Sequence, residues 1–173
     1  MTGVQTCALP ICYHPTIITL EDVRVSSGQV LGVEGGGFDV ANEWLYAGRV
    51  MLGASCTGRA ERALDMCLDW AASRKQFGQT IGKFQGVSFK LADMAMETRA
   101  AWLLTLECAW KLDQGTMSRM DASMVNLFAS EMIGRVTDNA VQIFGGMGLM
   151  TELPIERFWR DARVERIWEG TSE

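Results

Sequence analysis

Between residues 84 and 112, apolar or small side chains recur at alternating spacings of three and four: Phe84, Val87, Leu91, Met94, Thr98, Ala101, Thr105, Cys108 and Leu112. An α-helix turns once in 3.6 residues, so these positions form one continuous stripe and predict a long helix with one buried face. Lys111 suits its negative last turn, and Gly115 ends it. The pattern repeats at Ala122, Val125, Ala129, Met132, Val136, Ala140 and Ile143, then stops at Gly145–Gly146. An earlier helix is expected from near Phe38, with Asp39 at its positive end, to about Ser73. Within it Gly48, Gly53 and Gly58 each cost about 1 kcal/mol relative to alanine, a cost that tight helix contacts or a ligand's approach would offset. A shorter helix should begin near Leu153–Pro154 and run toward Ile167, since proline fits a first turn. Helices joined by short loops in this number predict a mainly α protein, an antiparallel four-helix bundle.

A short β remnant precedes the bundle. The run TIITLEDVRV, Thr16–Val25, alternates and is rich in β-branched residues, which predicts one or two short strands. Gly28, Gly32 and Gly35–Gly36–Gly37 mark a turn-rich exit. One strand segment makes no stable sheet alone, so residues 13–36 read as the end of a β-domain and residues 37–173 as the helical-bundle domain. The first twelve residues, MTGVQTCALPIC, lack the basic start and sustained apolar core of a secretory signal. They resemble read-through of adapter DNA, and residues 1–12 are set aside as non-native.

Composition agrees with a helical protein. The three prolines are Pro10, Pro15 and Pro154, so nothing between Thr16 and Leu153 must interrupt a helix for want of an amide proton. Sixteen basic against 21 acidic side chains leave a net charge of −5, which argues against a general binder of nucleic acid or anionic membranes. No apolar run approaches a membrane span. The five cysteines (Cys7, Cys12, Cys56, Cys67 and Cys108) form no CxxC pair, and His14 is the one histidine, so no structural zinc site or other metal centre is expected. Buried free thiols in a reducing, cytoplasmic setting are the expected state.

Three segments carry polar or glycine residues that a bundle core does not require. In Arg74-Lys75-Gln76-Phe77-Gly78, an arginine beside an aromatic ring suits a phosphate and a flat ring together, although a solvated helix end reads the same way. In Gln142-Ile143-Phe144-Gly145-Gly146-Met147-Gly148, three glycines in four positions permit close backbone approach to a cofactor, whereas a helix cap explains one of them. In the last segment, Glu169 lies between Ile167–Trp168 and Gly170–Thr171. A carboxylate beside tryptophan in a dry pocket suits a general base, while a frayed terminal glutamate is the plainer alternative.

Taken together, the spacing of Gln142, Gly145, Gly146, Gly148, Glu152, Arg157, Asp161 and Glu169-Gly170-Thr171 resembles the C-terminal part of the acyl-CoA dehydrogenase family. RKQFG, Gln85 and the LADM of Leu91–Met94 stand where that family has them, and the resemblance spans about Thr16 to Glu173. It implies an FAD-dependent enzyme that desaturates an acyl-CoA thioester between its α and β carbons. Glu169 would be the catalytic base that takes the α-proton while a hydride leaves the β carbon for the flavin. Gly170 would lie beside the thioester and Thr171 beside the flavin, with Arg49 near the acyl-CoA. The resemblance further implies that Arg74 and Gln76 reach the FAD of a neighbouring subunit, with Phe77 and Gln85 in the same region. Gln142 through Gly146, including Gly145, would line the adenine half of that FAD.

Some relatives carry their base on the first helix, at the place of Gly48 here. Arg160 and Asp161 read as structural. The implied partners are an acyl-CoA substrate, an electron-transferring flavoprotein and further copies of the chain. The resemblance also implies a chain that is a piece of a longer enzyme, cut before a last helix and inactive alone. An acyl-CoA oxidase of the same fold and a non-catalytic assembly module are the alternatives. Acyl chain length cannot be read from these residues.

Overall fold

A computed structural model describes residues 17–173 together with the backbone of Val4–Gln5, so Cys7, Cys12 and His14 lie outside the described residues. Four helices carry the fold: α1 Gly37–Ser73, α2 Gln85–Asp113, α3 Arg119–Phe144 and α4 Ile155–Ala162. The long helices begin and end within three residues of the expected positions. The connection from α2 to α3 is short because both ends are tied by one carboxylate. Asp121 accepts from the Ser118 backbone N–H at 2.9 Å and from its hydroxyl at 2.6 Å, while Lys111 Nζ on α2 donates to it at 2.8 Å. Gly115 takes φ 65° between them, the left-handed region that glycine enters without a Cβ penalty.

Small side chains on α1 let the helices approach closely. Cys56, Ala60, Ala63 and Cys67 of α1 are fully buried against Met94 and Ala101 of α2 and Met132, Ile133, Val136 and Ala140 of α3. Ile155 and Ala162 extend the same core into α4. The three glycines in the interior of α1, Gly48, Gly53 and Gly58, divide by location. A Cβ on Gly53 would lie 2.6 Å from Val125 Cγ1 and 2.7 Å from Thr105 Oγ1, so this glycine serves the crossing of α1 with α2 and α3. Gly58 faces open space, and Gly48 faces the last loop of the chain.

Two expectations change. Of residues 17–25, the described part of that run, Ile17–Ile18 forms a strand, β2, paired antiparallel with β1, Val4–Gln5. Residues 19–25 are exposed and unpaired, because among the described residues no further sheet edge meets them. The fourth helix stops at Ala162 and tightens into a 3-10 turn over Val164–Arg166, which turns Glu165 inward.

Between α1 and α2 the chain makes a hairpin of β3, Lys75–Gln76, and β4, Gln79–Thr80. Its two turn residues, Phe77 and Gly78, have φ 52° and 80°, the pair of positive angles that a tight hairpin turn requires. Phenylalanine is an unusual occupant of that position.

Candidate active site

The last loop is held across α1 and α3 by its own backbone carbonyls. Arg49 Nε on α1 donates to the Glu169 carbonyl at 3.0 Å, and Arg49 Nη1 donates to Ser123 Oγ at 3.0 Å. Asn126 Nδ2 on α3 donates to the Gly170 carbonyl at 3.1 Å. Ser172 closes the loop, its N–H donating to the Arg166 carbonyl at 3.2 Å and its hydroxyl to Glu131 Oε1 at 2.9 Å. So fixed, Glu169 takes φ 57° and Gly170 takes φ 104°. A glutamate in the left-handed region is strained, and strain of this kind persists where surrounding contacts over-determine it.

That backbone drives the Glu169 side chain onto α1. Its Oε2 is buried and makes no hydrogen bond. A Cβ built on Gly48 would stand 2.8 Å from Oε2, with Trp44 Cζ3 at 3.6 Å from the same point. The tryptophan at this point is therefore Trp44. Trp168, the sequence neighbour, turns away and donates its indole N–H to Glu165 Oε2 at 2.6 Å. An unpaired buried carboxylate oxygen costs free energy, and such exceptions call for an explanation. Here the oxygen is left available to accept a proton.

A second group of the expected residues gathers at the opposite end of α1. Twenty-five residues separate Arg49 from Arg74, so the two groups lie about 37 Å apart along the helix at the rise of an α-helix. The Arg74 guanidinium carbon stands 5.7 Å from the Trp70 ring centroid, and Trp70 stacks on Phe144 at 5.0 Å. Phe144 leads directly into Gly145–Gly146, so two segments distant in sequence meet through one aromatic pair. A cleft of about 230 Å3 opens beside Trp70, Ser73 and Phe144. Phe77 is 93% exposed and meets Phe84 edge-on at 6.2 Å. Arg74, Gln76, Gln85, Gln142, Gly145, Gly146 and Thr171 are all exposed.

Arg160 pairs with Glu156 at 2.7 Å and Asp161 with Arg157 at 3.5 Å, both within α4. Among the described residues no group of three or more metal-ligating side chains occurs, and no helix is long and apolar enough to cross a membrane.

Residues 35–173 match the family profile described as "Acyl-CoA dehydrogenase, C-terminal domain". The chain belongs to the acyl-CoA dehydrogenase family. A probable acyl-CoA dehydrogenase of Bacillus subtilis, YngJ, is 46% identical over 156 residues, which cover 90% of this chain and 41% of that protein. The butyryl-CoA dehydrogenase structure from Megasphaera elsdenii superposes with a TM-score of 0.90 at 38% identity, covering 99% of this chain and 45% of its own. A structure described as PigA with FAD and proline superposes at 0.92 with 29% identity, covering 99% of this chain and 45% of its own. The chain thus spans less than half the length of these relatives.

Periodicity and motif miss the residues that hold the loop. Arg59, Asn126, Glu131, Glu165 and Ser172 act across 41 to 106 residues of sequence. Their one local signal is a polar residue inside an otherwise apolar stripe, as with Asn126 between Val125 and Ala129.

Proposed function

We propose that this chain supplies the α-proton base and part of the flavin site of an FAD-dependent acyl-CoA dehydrogenase. The observation that carries the reading is the buried, unpartnered Oε2 of Glu169, held over Gly48 by a left-handed backbone. Thioester α-protons are weakly acidic, so their removal needs a base that is aimed and shielded from water before the substrate arrives. Arg49 aims it by holding the Glu169 carbonyl, and Gly170, where a Cβ would stand 3.0 Å from Arg49 Nη2, is the residue assigned to the thioester. The Glu169 backbone N–H is assigned to the thioester oxygen, where enolate-like charge develops.

The residues at the far end fit a dinucleotide. A pyrophosphate takes a planar cation, as Arg74 offers, and flat rings take the exposed face of Phe77. Gln76, Gln85, Gln142, Gly145, Gly146 and Thr171 are the further assigned contacts. FAD, when bound, supplies the two-electron acceptor for the β-hydrogen. The ~37 Å between Arg49 and Arg74 exceeds the reach of one dinucleotide, which supports a flavin shared between two copies of the chain. Phe89, Met96, Leu103 and Trp110 support the same reading: they form an outward stripe on α2, spaced by seven and 51–65% exposed, and it starts beside Gln85. The proposed electron acceptor is an electron-transferring flavoprotein.

The test is a chimera in which this chain replaces the matching segment of the Megasphaera elsdenii short-chain enzyme. Loaded with FAD and mixed anaerobically with butyryl-CoA, it should bleach its flavin absorbance, and Glu169→Gln should slow bleaching by about 10³-fold. Reoxidation should be faster with electron-transferring flavoprotein than with oxygen. A fully flavinated chimera whose Glu169→Gln variant bleaches at the parent rate contradicts the base assignment.

A further inference from the structure

Glu165 is an ionisable residue buried to 1% exposure, four positions before Glu169 and outside the contacts assigned above. Its two oxygens are divided between two elements. Oε1 pairs with Arg59 Nη2 on α1, and Oε2 accepts the Trp168 indole N–H at 2.6 Å. Arg59 is itself oriented, its Nε donating to the Ser55 carbonyl at 3.3 Å. One carboxylate therefore links the long helix to the residue that immediately precedes Glu169.

A buried ion pair is weak evidence for stability, because desolvation offsets much of its attraction. Its geometric effect is the stronger one. Glu165 sits in the 3-10 turn that redirects the chain after α4, and its bond to Trp168 sets the direction from which the backbone enters the left-handed Glu169. The anchors beyond it are different groups: Arg49 on the Glu169 carbonyl, Asn126 on the Gly170 carbonyl and Glu131 on the Ser172 hydroxyl. Among the described anchors, Glu165 is the one that fixes the entry to the base through a side chain.

We propose that Glu165 is a positioning residue for the Glu169 base, acting through Trp168 and tethered to α1 by Arg59. The proposal rests on the reading of Glu169 as the base. Displacement of about 1 Å at a reacting group can cost 10²-fold in rate, so loss of the tether should appear in turnover before it appears in substrate binding.

Three variants of the flavin-loaded chimera test it: Glu165→Gln, Trp168→Phe, and the paired Arg59→Met/Glu165→Leu. The paired variant removes both buried charges together, which leaves no uncompensated ion and keeps the fold stable. Its kcat for butyryl-CoA should still fall about 10- to 100-fold, with KM and FAD content changed less than threefold. A paired variant that regains parent kcat assigns Glu165 to stability alone and overturns the proposal. A readout independent of turnover is the Trp168 indole N–H resonance of the 173-residue chain, identified by its loss in Trp168→Phe. In Glu165→Gln it should move upfield and exchange faster with solvent, and an unmoved resonance overturns the proposal. If Glu169→Gln turns over at the parent rate while the resonance moves as expected, the base reading fails and the tether stands.

Discussion

The carboxylate of Glu169 occupies the space that a side chain on Gly48 would fill: a Cβ there would stand 2.8 Å from Glu169 Oε2. Gly48 is therefore part of the site by what it lacks. Alanine at position 48 should push the carboxylate aside without harming α1, because the displaced atom is the end of a flexible side chain and alanine is the better helix former. In the flavin-loaded chimera, Gly48→Ala should slow flavin reduction by about 10- to 100-fold while leaving the thermal midpoint unchanged or raised. A variant that reduces its flavin at the parent rate would show that the carboxylate works from elsewhere.

Gly53 and Gly58 carry the same local helix penalty in opposite surroundings. At Gly53 a Cβ meets Val125 and Thr105 inside the helix crossing, so Gly53→Ala should overpack it and destabilise by about 1–3 kcal/mol. At Gly58 a Cβ meets nothing within 4 Å, so Gly58→Ala should stabilise by up to about 1 kcal/mol. Denaturant unfolding of both variants checks the pair. Equal shifts of the same sign would contradict the packing.

Burial pushes the Cys56 and Cys67 thiols up to about 12, and at Cys56 the nearby Glu165 carboxylate adds to the effect. The raised values mean that the fold favours the protonated thiols. Their contribution to stability is complete below the ordinary value of 9.0 and is lost as pH climbs from there toward 12. Since the thiolate is the reactive form, iodoacetamide at pH 8 should leave both residues unmodified in the folded chain and label them in urea. Labelling of either at the rate of an unstructured peptide would refute their burial.

The tie between α2 and α3 predicts an acid-sensitive joint. The Lys111 ammonium, and then the Ser118 hydroxyl and backbone N–H, hold the Asp121 carboxyl well below its ordinary value of 3.8. A depressed carboxylate stabilises the fold above that ordinary value, and the contribution disappears as pH falls below it. The stability gap between the parent chain and Asp121→Asn should therefore be wide at pH 5 and narrow steadily below pH 4. A gap independent of pH would mean that the carboxylate's charge contributes nothing.

The helices were legible because their buried faces repeat every three or four residues, and their ends because Gly115 and Gly145 interrupt those stripes. The three interior glycines of α1 were not separable in sequence. Their local cost is the same, and only the packed structure places Gly53 at a crossing, Gly48 against the Glu169 carboxylate and Gly58 toward solvent. Of the one or two short strands expected here, one forms at Ile17–Ile18, and residues 19–25 stay unpaired because strand propensity reports a side chain's fit to a sheet and not the presence of a partner edge. At the site, Glu169 and Arg74 stand in recognisable motifs. The groups that aim Glu169 are paired across long stretches of chain, Arg49 with Glu169 over 120 residues and Arg59 with Glu165 over 106, and no local pattern encodes such pairs.

The most direct test of Glu169 as α-proton base is hydrogen exchange at the substrate's α carbon, followed by NMR with butyryl-CoA in deuterated water under anaerobic conditions. The parent chimera should wash deuterium into that position, and Glu169→Gln, with FAD content unchanged, should do so about 10²- to 10⁴-fold more slowly. Exchange at the parent rate in the variant would show that another group removes the proton, and the central assignment would be wrong.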